Sequence, residues 1–268
     1  MRKLSIVLII ALFALLPLSA QTPVTCGSVI SAPGLYVLTE NTACDKPIFI
    51  NSDDVTLNLR GHTLSNSSGI PIAGITTSVG PGNPNAFTTD GTTIRNGTIT
   101  GFGTAIALSG PVNHALPRTA NANIHHLTIT GNGRGIFVTY ASDVTIHNND
   151  ITDNFSTTPV DDAFAWGTGI AAFDLVDSEI KNNRVTGNSS DGIALRFSPT
   201  ADNMVMKNNA SGNGRYGILV STPSTDNVIK KNKAKWNSAT DLVDLNTNCD
   251  SNVWKNNIFV TSNMACID

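Results

Sequence analysis

The sequence predicts an all-β fold in which short strands coil into a solenoid, and its main evidence is a repeat of about two dozen residues. Related segments begin at Ile180, Val205, Ile229 and Val253, at intervals of 25, 24 and 24 residues. Apolar and polar residues alternate within each segment, as in a half-buried strand and unlike a helix. Asparagine recurs between the strands, where sharp corners need a residue that tolerates the left-handed conformation. These patterns predict stacked turns that share one apolar interior.

The first twenty residues are interpreted as a cleaved signal peptide. Arg2 and Lys3 precede an apolar run over residues 4–16, and the segment ends in the small residues Ser19 and Ala20. The run is short for a membrane helix, so no membrane span is expected after cleavage. The remaining chain has 15 basic against 20 acidic residues, a formal charge of −5, which argues against nucleic acid as a partner. We therefore expect a secreted or periplasmic protein.

Four cysteines lie near the two ends of the mature chain. They allow three pairings, and short separation in sequence favours Cys26 with Cys44 and Cys249 with Cys266. Each bond would then close a short loop over an exposed end of the stack. Zinc is the competing interpretation, but no CxxC or HxxxH spacing supports it, so no metal site is expected at the cysteines.

Residues 21–50 are interpreted as an N-terminal cap and residues 51–268 as the coil. The cap segment has short β-rich runs broken by Pro33, Gly34 and Pro47, and a solenoid needs an atypical first unit to cover its core. In the coil, a second apolar residue follows each anchor by five positions, and a third strand follows a glycine, giving three strands per turn and about seven to eight turns. The anchors are placed at Leu59, Ile94, Ile124, Ile146, Ile180, Val205, Ile229 and Val253.

Polar residues also recur with the repeat. Two columns of asparagine are expected to stack at corners and to hydrogen-bond along the stack: Asn149, Asn183, Asn208, Asn232 and Asn256, and Asn132, Asn154, Asn188, Asn213 and Asn237. One column of aspartate precedes the anchors: Asp143, Asp177, Asp202, Asp226 and Asp250. A row of acids could bind calcium, whereas the alternative is that each Asp caps its own turn through a local hydrogen bond.

Three insertions interrupt the period, at residues 76–90, 109–122 and 155–166. The first two lengthen the connection from a third strand to the next anchor, and the last enlarges the corner before a third strand. Loops carried by a rigid scaffold are where function concentrates. The insertions therefore direct attention to the N-terminal half of the coil.

The segment VTLNLRGHTLS at residues 55–65, the glycine-plus-apolar openings and the paired asparagines resemble right-handed parallel β-helix proteins of the pectin-lyase-like superfamily. The resemblance covers about residues 50–265 and implies a right-handed parallel β-helix. The superfamily includes pectate lyases, polygalacturonases, alginate epimerases and phage tailspikes, so the fold alone does not define an activity. The GHG and RIK motifs of polygalacturonases, the RxPxxR motif of pectate lyases and the YGFDPH motif of alginate epimerases are absent.

One outer face carries the first candidate site. If each anchor points inwards, the next residue points outwards, which predicts a file of Arg60, Arg95, His125, His147, Lys181, Met206, Lys230 and Trp254. At a spacing of about 4.8 Å, the first five residues would form a stripe about 20 Å long.

The side chains of this stripe suit an acidic polysaccharide, because arginine pairs with carboxylates and a histidine can take the proton beside a uronate carboxyl. His147 is predicted as the base with Arg95 beside it, and Arg60, His125 and Lys181 as substrate-binding residues. The alternative is an ordinary solvated face, since the outer positions of any soluble solenoid are polar.

A second candidate site surrounds the 155–166 insertion. There Asp161, Asp162 and Trp166 could approach Asp174 and Arg196 on the third strands. Two acids and an aromatic platform would suit acid–base chemistry on a glycosidic bond. The alternative is a polar loop held in place by one tryptophan.

The sequence thus predicts an exported β-helix protein that binds an acidic polysaccharide, and lyase-type elimination is the reaction expected if the protein is an enzyme. A non-catalytic surface, scaffold or adhesin-like protein is the rival hypothesis. Maturation of a periplasmic metal site is a third, indicated only faintly by His125, His147 and Met206. No cofactor is expected, with calcium as the one ion that the acidic residues could take.

Overall fold

A computed structural model describes residues 21–77, 88–111, 117–155, 166–196 and 200–268. The predicted signal peptide lies outside the described residues, as do most of the 76–90 and 155–166 insertions and part of the 109–122 insertion. Within the described part of the chain, no helix is long and apolar enough to cross a membrane.

Short parallel strands, numbered in chain order, form three faces of a coil. The first face contains β1 (Gln21–Val24), β3 (Gly34–Leu38), β6 (Val55–Asn58), β9 (Thr93–Thr100), β12 (Asn123–Thr130), β14 (Thr145–His147), β17 (Glu179–Lys181), β20 (Met204–Met206), β22 (Val228–Lys230) and β24 (Val253–Lys255). The second face contains β4 (Thr42–Cys44), β7 (Thr63–Asn66), β15 (Asp150–Thr152) and β18 (Arg184–Thr186), together with the second halves of β9 and β12.

The third face contains β2 (Val29–Ile30), β5 (Ile48–Ile50), β8 (Ala73–Thr76), β10 (Thr104–Ser109), β11 (Thr119–Ala120), β13 (Ile136–Ser142), β16 (Ile170–Val176), β19 (Ile193–Arg196), β21 (Tyr216–Val220) and β23 (Thr240–Asp244). A short 3-10 helix, Thr247–Cys249, precedes the last strand. Because β9 and β12 continue around the corner, the first and second faces form one 14-stranded sheet, beside a 10-stranded third face. The predicted all-β fold with three-strand turns is confirmed.

Residues 21–50, predicted as a cap, continue both sheets. Strand β1 pairs in parallel with β3, and β3 pairs in the same way with β6. On the third face, β2 pairs with β5 and β5 with β8. Neither sheet has a break at residue 50, so this segment forms the first turns of the stack.

The interior is a continuous column of aliphatic side chains. Six predicted anchors, from Ile94 to Ile229, pair in register on the first face and are fully buried. The predicted first anchor is wrong, because Leu57 pairs with Ile94, whereas Leu59 fills the following corner. A Cβ on Gly97 would lie 2.4 Å from the Cβ of Leu59, so only a glycine there leaves room for that leucine.

The predicted last anchor is also wrong by one residue. Trp254 pairs with Ile229, and its side chain is 5% exposed, whereas Val253 is 49% exposed. The indole Nε1 of Trp254 donates a hydrogen bond of 2.9 Å to Asp244 Oδ2. A large aromatic side chain with a buried hydrogen-bond partner therefore closes the end of the core that a valine would leave open.

The asparagine ladders are confirmed. Asn183 is typical, since its Nδ2 donates to Asn208 Oδ1 at 3.0 Å in the next turn and to the Ile146 carbonyl at 2.9 Å in the previous one. The first ladder ends at Asn257 rather than at the predicted Asn256, which has a left-handed backbone with φ of 57°. A third ladder that was not predicted runs through Asn203, Asn227 and Asn252.

The aspartate column has a different basis from the predicted capping bonds. All five residues are exposed and have a positive φ, between 47° and 58°, although a ψ of −120° places Asp250 outside the left-handed helical region. Within the described chain, neither a backbone nor a side-chain group donates a hydrogen bond to any of these five carboxylates. Because Asp tolerates this backbone region better than most residues, the column is explained by corner geometry.

Both predicted disulfide bonds are present. Cys26 is bonded to Cys44 in the first turns, and Cys249 is bonded to Cys266 after the last complete turn. The bonds therefore lie at the two opposite ends of the described stack.

Candidate functional site

Four of the predicted residues lie above one another on the outer side of the first face. Arg95 pairs with His125, His125 with His147, and His147 with Lys181 across neighbouring strands. At one strand spacing per turn, the four positions span about 14 Å. We call Arg95, His125, His147 and Lys181 the basic column.

Two other predicted members of this file lie elsewhere. Asn58 occupies the place next to Arg95, whereas Arg60 is at the following corner, with φ of 54°, and bonds to the side chain of Gln21. Trp254 points into the core, and Lys255 takes its place. Both errors follow from the shifted anchors. The first anchor lies two residues earlier than predicted, so Arg60 falls beyond the end of the strand. The last anchor is shifted by one residue, which moves Trp254 to the opposite side of the strand.

Three imidazoles meet in the middle of the basic column. The rings of His125 and His147 are stacked, with centroids 5.0 Å apart and an interplanar angle of 12°. His126 Nδ1 lies 2.6 Å from His125 Nδ1, so one ring donates an N–H to the other. No functional role was predicted for His126. Its left-handed backbone at a corner, with φ of 55°, turns its ring back beside the column.

The imidazoles of His125 and His147 have lowered pKa values, which favour the uncharged form at neutral pH. Partial burial, followed by the charges of His147, His126 and Arg95, lowers the pKa of His125 to about 4. Partial burial and the neighbouring Lys181 also lower the pKa of His147, although Glu179 acts against this shift. Both rings therefore offer neutral hydrogen-bonding nitrogens at pH 7.

The two ends of the basic column differ in their partners. Arg95 is partly buried, and its Nε has no hydrogen-bond partner among the described residues. Lys181 forms an ion pair with Glu179 on the same strand. A carboxylate ligand would therefore meet an uncompensated guanidinium at one end and a balanced pair at the other.

The second candidate site was predicted around the 155–166 insertion and the outer side of the third face. Asp161 and Asp162 lie outside the described residues. Trp166 is described, and the guanidinium of Arg134 lies 4.3 Å from its ring centroid. Asp174 is buried and accepts a hydrogen bond of 2.7 Å from Arg118 Nη2.

Arg196 lies within this surface instead of facing solvent. It is only 2% exposed, and its Nη2 lies 2.7 Å from Asp191 Oδ2. Arg215 approaches the same carboxylate from the next turn, at 2.7 Å and 2.6 Å. Two arginines thus share one buried aspartate, which the sequence analysis did not identify. The Arg215–Tyr216 dipeptide, whose guanidinium stacks on its neighbour's ring, was the only local signal.

A metal site is not formed by the described residues. Within that part of the chain, no group of three or more His, Cys, Asp or Glu side chains could hold a metal ion. The exposed aspartate column places one carboxylate in each turn. Its use by calcium remains a prediction, which a binding measurement with and without the ion can test.

Comparisons with known proteins identify the fold family. The family described as the right handed beta helix region matches residues 46–199 and 161–268. No curated protein matches the sequence. Among solved structures, the Dettilon tailspike protein gp208 aligns over 83% of this chain and 44% of its own, with a TM-score of 0.62 and 17% identity.

Two epimerases also share the fold, at comparably low sequence identity. A mutant of the periplasmic alginate epimerase AlgG aligns over 81% of this chain and 59% of its own, with a TM-score of 0.57 and 13% identity. The A-module of mannuronan C-5 epimerase AlgE6 from Azotobacter vinelandii aligns over 89% and 65%, with a TM-score of 0.50 and 11% identity. This chain thus spans less than two thirds of each of these proteins. The match across nearly the whole described coil shows that the chain belongs to the right-handed β-helix family.

Proposed function

We propose that this protein binds an acidic saccharide along the basic column. The observation that carries the proposal is the in-register stacking of Arg95, His125, His147 and Lys181 on one outer face. An extended polyanion that lies along the coil axis would meet one basic or hydrogen-bonding group in every turn. Such a repeated match suits a polymer better than a single small ligand.

Each member of the column has a distinct part in this proposal. Arg95 would bind a carboxylate through two parallel hydrogen bonds, because its planar guanidinium matches that geometry. The neutral rings of His125 and His147 would bond to hydroxyl groups. Lys181 would contribute a second cation once the ligand competes with Glu179.

The relatives support a saccharide as the ligand class. Two structures with this fold are named as epimerases of alginate and mannuronan, and a third is named as a tailspike protein. Alginate is therefore the first probe to use. The two disulfide bonds favour an oxidising compartment, and we propose an exported protein that meets such a polymer outside the cytoplasm.

The more specific part of the proposal is that the protein cleaves the bound polymer by elimination. His147, uncharged at neutral pH, would remove the proton α to a uronate carboxyl, and Arg95 would stabilise the carboxylate charge that develops. The electron pair of that C–H bond would form a double bond as the C–O bond to the neighbouring sugar breaks. The departing oxygen then takes up a proton, which leaves one unsaturated uronate and one new chain end.

A titration tests saccharide binding. The protein is mixed with alginate and with polygalacturonate, with and without calcium, and binding is measured by calorimetry while absorbance reports unsaturated uronate. Arg95→Ala is expected to weaken binding about tenfold, which corresponds to about 1.4 kcal/mol. Arg184→Ala is the matched control, because Arg184 is an exposed arginine on the second face.

The outcomes separate the hypotheses. Binding without unsaturated product would retain the saccharide-binding function and discard the elimination. If no acidic polymer binds, or if Arg95→Ala and Arg184→Ala bind equally well, the non-catalytic scaffold or adhesin-like alternative replaces the proposal.

A further inference from the structure

A pocket of about 530 Å³ opens at the corner between the second and third faces, away from the basic column. This volume lies within the usual range of small-molecule sites. Its walls include the side chains of Asn66, Ile70, Phe102, Phe155 and Trp166, and its floor is formed by corner glycines of two successive turns. The functional role proposed above does not use any of these residues.

The hollow exists because the corner residues lack side chains. Gly101 and Gly131 are left-handed, with φ of 78° and 67°, a conformation that glycine adopts without steric cost. Gly133 lies directly beneath the aromatic wall, since a Cβ there would approach the Trp166 ring to 3.0 Å and the Gly103 carbonyl to 2.6 Å. The pocket floor is therefore main chain, and the indole lies against it.

Two aromatic side chains define the shape of the pocket. Trp166 is held in place by Arg134, whose guanidinium lies 4.3 Å from the indole centroid and 4.3 Å from the Phe137 ring on its other side. Phe155 is 54% exposed, which is unusual for a large aromatic side chain in a folded protein. One ring is thus fixed before any ligand arrives, and the other remains accessible.

The lining indicates the chemical class of the ligand. None of the described lining residues carries a charge, so this part of the wall offers no group to neutralise a carboxylate or a phosphate. The aromatic rings offer apolar faces, while Asn66 and the glycine main chain bring polar atoms to the same space. A sugar ring has this combination, with C–H groups on its faces and hydroxyl groups at its edge. A lipid chain would instead require an entirely apolar wall.

We propose that this pocket is a binding site for an uncharged sugar ring, which packs against Phe155 and Trp166 and bonds through its hydroxyl groups to the corner. The site does not depend on the basic column. A glycan that contains both acidic and neutral sugars could use both surfaces, but each site makes its own prediction.

Fluorescence and calorimetric titrations test this site in the full mature chain. The probes are neutral disaccharides built from glucose, galactose, mannose or N-acetylglucosamine. Saturable binding of at least one probe is expected, with a change in tryptophan emission. Phe155→Ala should weaken that binding at least tenfold, and Trp166→Phe, which keeps an aromatic face, should weaken it less than Trp166→Ala.

The controls separate this site from the basic column and from misfolding. Trp236→Phe changes a tryptophan that is 74% exposed and does not line the pocket, so it should leave binding unchanged. Arg95→Ala should also bind the neutral probe normally, and Phe155→Ala should bind alginate as the unmodified protein does. If no probe binds, or if Phe155→Ala binds as tightly as the unmodified protein, the site does not exist as proposed.

Discussion

The outer sides of the first and third faces use basic residues in opposite ways. On the first face, Arg95, His125 and His147 lie partly exposed, and no acidic side chain is paired with them among the described residues. On the third face, Arg196 and Arg215 converge on Asp191, which is completely buried.

This difference shows that an outward position in a β-helix does not define a role. Arg196 and Arg215 contribute to the structure of the third face, because both bond to a completely buried carboxylate whose loss would remove these charge-assisted hydrogen bonds. Partly exposed and unbalanced groups on the first face contribute little to stability and remain available to a ligand. The strongest test is therefore to measure stability and binding separately for matched changes on the two faces.

The largest effect is expected from Asp191→Asn. This change keeps the size of the side chain but leaves two arginines without their shared carboxylate, so the free energy of unfolding should fall by about 3–5 kcal/mol. Urea unfolding measures the loss. Asp150→Asn is the control, because Asp150 pairs with Arg184 at the same 2.7 Å but on the exposed second face, and its loss should be under about 1 kcal/mol. Equal losses for the two variants would contradict the comparison.

A smaller effect is expected from His125→Asn at acidic pH. The unfolded chain binds a proton at His125 near the ordinary pKa of 6.5, whereas the folded protein does so only near pH 4. Between these values the unfolded state binds more protons, so stability present above pH 6.5 is lost as the pH falls towards 4.

His125→Asn removes this linkage, and its melting temperature should fall less than that of the unmodified protein between pH 7 and pH 4. Thermal melts monitored by circular dichroism across this range provide the measurement. His62→Asn, away from the column, is the control. Parallel pH profiles for the unmodified protein and His125→Asn would show that burial of the imidazole does not matter.

The smallest effect is expected from Glu179→Gln. The pair that Glu179 forms with Lys181 is partly exposed, so its removal should change stability by less than about 1 kcal/mol. The variant has one negative charge fewer beside the basic column and frees the ammonium group of Lys181. Affinity for alginate should therefore rise about two- to threefold at low salt, and the gain should disappear in high salt. A loss of affinity would mean that Glu179 itself contacts the saccharide.

Much of the fold could be predicted because its determinants are local and periodic. The alternation around Ile180, Val205 and Ile229 places side chains inside or outside, and the matching asparagines mark the corners. The two anchor errors arose where the sequence offers two apolar residues close together. These are Leu57 and Leu59 in the first turn, and Val253 and Trp254 in the last. Leu57 and Leu59 are both fully buried, and only the register with Ile94 shows which one lies on the strand.

The candidate sites were less predictable because they depend on contacts between turns. The file from Arg95 to Lys181 followed directly from the repeat, whereas the approach of His126 required the backbone angle at its corner. The sharing of Asp191 by Arg196 and Arg215 joins residues in adjacent turns whose charges alone would suit solvent equally well. The glycine-floored pocket likewise depends on Trp166, which is far in sequence from Gly101.

The placement of the two disulfide bonds affects where unfolding of the stack begins. In a linear stack each inner turn is held by two neighbours, whereas a terminal turn is held by only one and so frays first. The bond between Cys26 and Cys44 tethers one terminus, and the bond between Cys249 and Cys266 tethers the other. After reduction of the two bonds, proteases should therefore digest the terminal turns of the described stack first. The central turns should persist as a protease-resistant fragment.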